Sequence, residues 1–202
     1  NSEELAKLKG LNIQVSDMTE IPEELNYFKG LEQISFRGGK IRCIPHHLAR
    51  DLPQLQSVDL RQNKIVSIAP GFSGNGNRIV KLMLDQNLIE ELPEDFGVGM
   101  DSLTSLDLSF NKLKTVPATL EERLPDLYSL FLNNNQISSL PEEFGSSWPK
   151  LRFLQLKGNK LERLPPKLGI QSSRLMLFNA DWETITICPS HLIRFSNIHK
   201  QF

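Results

Sequence analysis

The chain has 202 residues, of which 39% are hydrophobic, and its formal net charge is −1 at pH 7. This content is enough for one domain with a continuous core, or for a stack of small units that share one. A chain without a basic excess is not expected to bind nucleic acid, and apolar runs shorter than the roughly 18 residues that cross a bilayer predict no membrane span or membrane partner.

The first predicted element is an N-terminal cap over residues 1–7. Its sequence NSEELAK can begin a helix capped by Ser2, which would place Leu5 and the following Leu8 over the next unit. The segment lacks the basic and apolar regions of a signal peptide.

Residues 8–187 then repeat one template eight times. Counted from the first residue, a unit has apolar residues at positions 4, 6, 11, 14 and 18, asparagine at position 9 and proline at position 15. The spacing is 24 residues, except for 23 between the first two units, which begin at Leu8, Leu31, Leu55, Ile79, Leu103, Leu127, Leu151 and Leu175. A fixed period of this length, with a short strand pattern in each unit, predicts a solenoid whose units share one core.

The stretch LTSLDLSFNKL at 103–113 resembles the leucine-rich repeat consensus L-x-x-L-x-L-x-x-N-x-L, and the resemblance extends from about Leu8 to Leu192. It implies an α/β solenoid shaped as a horseshoe. The concave face would be a parallel β-sheet of about eight strands, and the convex face would carry short α-helical or 3-10 turns.

The asparagine column predicts a ladder inside the turns, because an amide side chain can satisfy backbone groups left unpaired where the chain bends inward. The residues that fit are Asn63, Asn87, Asn111, Asn135 and Asn159, whereas Ser16, Gly39 and Glu183 depart from the pattern. In the third unit, the loop GFSGNGN at 71–77 is predicted to be mobile on the convex side.

The last predicted element is a C-terminal cap over residues 188–202. Leu192, Phe195, Ile198 and Phe202 recur there at near-helical spacing, so they are expected to cover the last unit.

The sequence offers residues for a metal site, a disulfide and a phosphate-binding loop, but none of these sites fits the spacing or the motif that it requires. Cys43 with His46 and Cys188 with His191 form two Cys-x-x-His pairs, but they lie six units apart, on the order of 30 Å at about 4.8 Å per strand. That distance excludes a shared tetrahedral metal site and a disulfide. The stretch RGGK at 37–40 lacks the rest of a phosphate-binding loop, and no Gly-x-Ser-x-Gly turn occurs. We therefore predict no enzyme activity, cofactor, metal or small-molecule substrate.

Strand alternation directs positions 3, 5 and 7 of each unit to the concave surface. Phe131 at position 5 and Phe153 at position 3 of the next unit are diagonal neighbours and are expected to touch. An apolar cluster with a polar border is typical of a protein-binding hot spot. The cluster residues are Phe131, Phe153, Tyr128, Met83 and Phe110, and the border residues are Asp107, Gln155, Asn133 and Lys157.

The charged residues of the first units, Arg37, Asp59, Arg61 and Asp85, are further candidate contacts. In contact with a partner, they would mainly set orientation and association rate. The alternative is an ordinary solvated polar face.

The predicted function is a non-enzymatic protein–protein interaction module, such as a scaffold, that holds a protein or peptide on its concave face. Two alternatives stay open: the substrate-recognition domain of a larger enzyme or pathogen effector, for example a ubiquitin ligase, and a receptor ectodomain. Two cysteines are too few for disulfide-bonded caps, and no asparagine begins an Asn-x-Ser/Thr acceptor. These features predict a cytoplasmic location.

Overall fold

A computed structural model describes residues 7–14, 16–73, 77–170 and 175–196. Several predicted features lie outside these residues: the helix start at Ser2 and Leu5, the centre of the 71–77 loop, and the C-terminal positions Ile198 and Phe202.

Each repeat forms one coil of a solenoid, and the coils are numbered 1–8 from the N-terminus. The strands are β1 (Gly10–Gln14), β2 (Gln33–Arg37), β3 (Cys43–Ile44), β4 (Ser57–Asp59), β5 (Ser67–Ile68), β6 (Lys81–Met83), β7 (Ser105–Asp107), β8 (Ser129–Phe131), β9 (Phe153–Gln155) and β10 (Leu177–Asn179). Eight of them form a parallel sheet in the order β1-β2-β4-β6-β7-β8-β9-β10. The predicted concave sheet of a leucine-rich repeat horseshoe is therefore confirmed.

The convex side is formed by short helical turns. They are 3-10 turns at Glu23–Tyr27 and Ser190–Leu192 and single α-helical turns α1 (Leu48–Asp51), α2 (Leu120–Arg123) and α3 (Ile193–Ser196). The small parallel sheet of β3 and β5 was not predicted from the sequence.

One core runs through the stack. Leu82, Leu106, Leu130 and Leu154 are paired in register on successive strands and are fully buried. Because all four occupy position 4, the repeat keeps its register from coil to coil, and each coil buries its apolar face only against its neighbours. Leu192 and Phe195 close the last coil, and the Phe195 ring packs edge-on against Phe178 with centroids 5.9 Å apart.

The asparagine ladder forms as predicted. Asn111 Nδ2 donates to the carbonyl oxygens of Leu108 in its own coil and Leu84 in the preceding coil, and its Oδ1 accepts the Ile89 amide. Asn63, Asn87, Asn135 and Asn159 make the same set of bonds. Each asparagine therefore joins two coils. Its Oδ1 pairs a backbone amide that would otherwise be buried and unpaired, and neighbouring asparagines share the carbonyl oxygens of Leu60, Leu84, Leu108 and Leu132.

Candidate functional site

Side chains at position 5 form a continuous row on the concave face. Met83, Asp107, Phe131 and Gln155 lie in register on β6 to β9. Each is partly exposed, whereas the position 4 leucines beside them are fully buried. The row thus presents an apolar, an acidic, an aromatic and an amide side chain on neighbouring strands.

The aromatic contacts differ from the prediction. Phe153 packs against Tyr128, with ring centroids 5.4 Å apart, and the Arg152 guanidinium lies 5.6 Å from the Tyr128 ring centre. Among the described residues, the Phe153 ring contacts Tyr128, and no ring–ring contact of Phe131 occurs there. Phe153 is paired in register with Ser129 and lies two positions from Phe131 along the strand direction, which is the predicted diagonal arrangement.

Two exposed apolar residues extend this surface at the C-terminal end. Leu177 is paired in register with Phe153 and is 41% exposed, and Met176 beside it is 61% exposed. Arg152 Nη1 donates to the Met176 sulfur at 3.5 Å. The prediction omitted both residues, although apolar side chains at positions 2 and 3 of the last coil were visible in the sequence.

Phe110 lies at position 8, where the strand gives way to the turn, and its ring is 52% exposed. Position 8 has a left-handed backbone in coils 2 to 7, with residues Gly38, Gln62, Gln86, Phe110, Asn134 and Gly158. The Phe110 φ angle is 53°, and its amide donates to the Asn133 carbonyl of the next coil. This conformation costs a side-chain-bearing residue about 1–2 kcal/mol, and a bulky residue in it is unusual. Because the left-handed conformation recurs in six coils, it belongs to the turn of the repeat, and in coil 5 this turn carries an exposed aromatic ring.

The charged candidates form an ion-pair network in coils 2 to 4. Asp59 is only 3% exposed and accepts hydrogen bonds from Arg37 Nε and from Arg61 Nε and Nη2. Burial alone would raise the Asp59 pKa, but the hydrogen bonds from Arg61 and Arg37 hold it below its ordinary value. The alternative of a solvated face is therefore wrong for Asp59, and the two arginines are the exposed part of this network.

Asp85 and Asp107 continue the network toward Phe131. Asp85 is buried, accepts a hydrogen bond from Gln86 Nε2 and lies 3.8 Å from Arg61 Nε. Asp107 accepts hydrogen bonds from the amide and hydroxyl of Ser109. Arg37 pairs with Asp59, whereas Arg61 pairs with Asp59 and Asp85 and interacts electrostatically with Asp107. Two arginines against three aspartates leave one formal negative charge, and Asp107, at the Phe131 end, has no direct arginine pair among the described residues.

Replacing Asp107 with asparagine is expected to raise the free energy of unfolding by about 0.5 kcal/mol at pH 7. Burial raises the Asp107 pKa, and the nearby Asp85 charge adds to this, so the folded state disfavours the carboxylate. The stabilising effect of a neutral Asp107 is present below the unfolded-state pKa and lost as pH rises through the folded-state pKa. Urea unfolding should therefore show a gain at pH 7 that vanishes near pH 3. Exposed Asp101 gives a control variant, D101N, and an equal gain at both pH values for D107N would contradict the explanation.

The N-terminal half of the concave face is recessed. An open trough of about 430 Å³ lies over coils 1 to 4, and small side chains such as Asn12, Ser35 and Ser57 line it. Arg37 and Met83 also line this trough. The concave face thus has a polar half over coils 1 to 4 and an aromatic half over coils 6 to 8, which carries Tyr128, Phe131, Phe153, Met176 and Leu177.

The described residues contain no group of three or more His, Cys, Asp or Glu side chains that could hold a metal ion. Cys43 and Cys188 are both free thiols, and burial raises the pKa of the Cys188 thiol. In the same ranges, no helix has both the length and the apolar character needed to span a bilayer.

The repeats match known family models. One model, described as leucine rich repeat, matches residues 77–122 and 125–181, just over half of the chain, and another, described as leucine rich repeats in two copies, matches residues 101–146. The chain belongs to the leucine-rich repeat family. No match was found among curated proteins.

Solved leucine-rich repeat structures share the fold. One is the Toll–Spatzle complex of Drosophila, with 18% identity, a TM-score of 0.66 and coverage of 94% of this chain and 32% of that one. Another is an internalin (inlF) of Listeria monocytogenes, with 22% identity, a TM-score of 0.62 and coverage of 86% of this chain and 46% of that one. The leucine-rich repeat chain thus spans less than half the length of either, and proteins of this family are in general protein-interaction modules.

Proposed function

We propose that this chain is a non-enzymatic interaction module that binds a protein partner through the aromatic half of its concave face. The observation that carries the proposal is the group of partly exposed apolar side chains on β8 to β10. Phe131, Phe153 and Leu177 stand on a face where the other outward side chains are mostly small or polar.

The expected anchors are Phe131, Phe153 and Tyr128, since aromatic side chains surrounded by polar groups contribute most to binding. Asp107, Arg61 and the more exposed Arg37 would set orientation and association rate. Asp59 and Asp85 hold these arginines in place and contribute indirectly, because both carboxylates are buried. Met83 lies between the two halves of the face, in register with Asp59 and Asp107. The Toll–Spatzle complex supports a protein as the partner class.

The double substitution F131E/F153E is expected to weaken partner capture at least 100-fold, because two charges would be placed against the partner's apolar surface. Both rings are only partly buried, so thermal unfolding should stay within a few degrees of wild type. The measurement is affinity capture and mass spectrometry with the two proteins in parallel, followed by titration of the purified partner.

The control is Y27E/V66E, which adds the same two charges at exposed positions outside the eight-stranded sheet. It should capture the partner as wild type does. Wild-type affinity in F131E/F153E, or an equal loss in the control, would rule out the aromatic half as the binding surface.

A further inference from the structure

The exposed apolar side chains lie on one diagonal across the sheet. Phe110 is at position 8 of coil 5, Phe131 at position 5 of coil 6 and Phe153 at position 3 of coil 7, and Met176 and Leu177 are at positions 2 and 3 of coil 8. Each step moves one coil forward. The position within the coil falls from 8 to 5 to 3, and in coil 8 it is 2 for Met176 and 3 for Leu177. With about 4.8 Å between strands and 3.3 Å per residue, this diagonal stripe is about 25 Å long.

Charged groups differ between the two ends of the diagonal stripe. Asp85 and Asp107 lie beside the Phe110 end, where the ion-pair network leaves one negative charge. Arg152 and Lys157 lie at positions 2 and 7 of coil 7, one on either side of Phe153. Asp181 lies farther on, but its carboxylate already accepts the amides of Gly158 and Asn159. A complementary partner therefore carries basic groups at the Phe110 end and acidic groups around Phe153.

The position of the diagonal stripe on the sheet restricts the secondary structure of the partner. An extended peptide adds to a sheet at a free edge, where unpaired backbone groups are available. The stripe instead crosses the face of β8 to β10, and an extended segment lying there would bury its own backbone N–H and C=O groups unpaired against Phe131 and Phe153. An α-helix satisfies these groups internally, and about 17 residues at 1.5 Å each cover the length.

We propose that the diagonal stripe is a docking site for an amphipathic α-helix of about 17 residues. The helix contributes apolar side chains at i, i+3 or i+4, and i+7, with Lys or Arg toward Asp107 and Asp or Glu toward Lys157. This inference rests on the proposed function and specifies the partner for the same face.

The test is selection from a displayed library of random 18-residue peptides on the wild-type chain, with counter-selection on F131E/F153E. Enriched peptides should show the helical apolar period and the charge order given above, and circular dichroism should show them gaining helix on binding. For a synthetic peptide of this kind, F110N and the pair M176S/L177S should each weaken binding about 10-fold. The convex variant Y27E/V66E should not.

Charge reversal supplies an independent measurement. D107K should weaken the selected peptide, and a peptide with its basic residues at that end replaced by glutamate should regain binding to D107K. Binding that depends on Phe131 and Phe153 but shows alternating apolar residues, no helix gain or no effect of F110N would overturn the helix proposal and leave the proposed function standing.

Two further outcomes would also overturn the helix proposal. If no peptide is enriched over the double variant, the helix proposal fails, and partner capture with F131E/F153E still decides the proposed function. If sedimentation shows a dimer of the chain that F131E/F153E abolishes, the stripe binds a second copy instead of a helix.

Discussion

Replacing Asn111 with alanine is expected to lower the free energy of unfolding by about 2–4 kcal/mol, since a buried group left without a partner costs about 1–3 kcal/mol and each further lost hydrogen bond about 1 kcal/mol. The substitution leaves the Ile89 amide without its partner. It also removes one of two asparagine bonds to each of the Leu84 and Leu108 carbonyl oxygens, which Asn87 and Asn135 still bind. Because these groups belong to two adjacent coils, the loss falls on the interface between them and weakens the coupling that makes the stack unfold as one unit.

Urea unfolding gives the total loss, and hydrogen exchange should show selective loss of protection at the Ile89 amide. Asn133 provides the matched control because it is also an asparagine in this region, but only partly buried, with its side chain outside the ladder. N133A should change stability by no more than about 0.5 kcal/mol. Equal losses in N111A and N133A would contradict a specific role for the ladder.

The ladder, the core and the parallel sheet were predictable from the sequence because they depend on the period alone. A residue such as Leu130 or Asn111 has the same neighbours in each inner coil, so one template fixes its environment. The same regularity made the row of Met83, Asp107 and Phe131 predictable before the structure was known.

Contacts between different positions of adjacent coils were not predictable in this way. The columns show which charges lie near one another, but not that Arg37 and Arg61 both bind Asp59 and leave it buried. Likewise, strand alternation did not indicate that Tyr128 would pack against Phe153, because Tyr128 precedes β8. These contacts depend on side-chain length and rotamer, which a repeat pattern does not encode.

The diagonal stripe is visible in the sequence as aromatic residues whose spacing differs from the repeat period. Phe110, Phe131 and Phe153 are separated by 21 and 22 residues, whereas the repeat is 24 residues long. A spacing shorter than the repeat shifts each aromatic toward the start of its unit, so a column-by-column comparison assigns the three to unrelated positions. Searching repeat proteins for apolar residues that shift steadily against the period should find other stripes of this kind.

Replacing Gly145 with alanine is expected to lower the free energy of unfolding by about 2–4 kcal/mol, because two costs combine. The Gly145 φ angle is +79°, and an added Cβ would overlap Cδ1 of the buried Leu168 and lie 3.4 Å from its Cα. The Gly169 amide also donates to the Gly145 carbonyl at 2.8 Å, so coils 6 and 7 approach closely here.

Gly71 separates the two costs, since it has a similar φ of +72° and no atom within 4 Å of an added Cβ. G71A should therefore show only the backbone cost of about 1 kcal/mol, and urea unfolding of both variants would measure the packing part by difference. Equal losses would mean that Leu168 moves aside freely.

Because Phe131 and Phe153 lie on these same two coils, an added methyl group between Gly145 and Leu168 should shift the two rings relative to each other. G145A should then weaken capture of the partner at temperatures where it remains folded, whereas G71A should not.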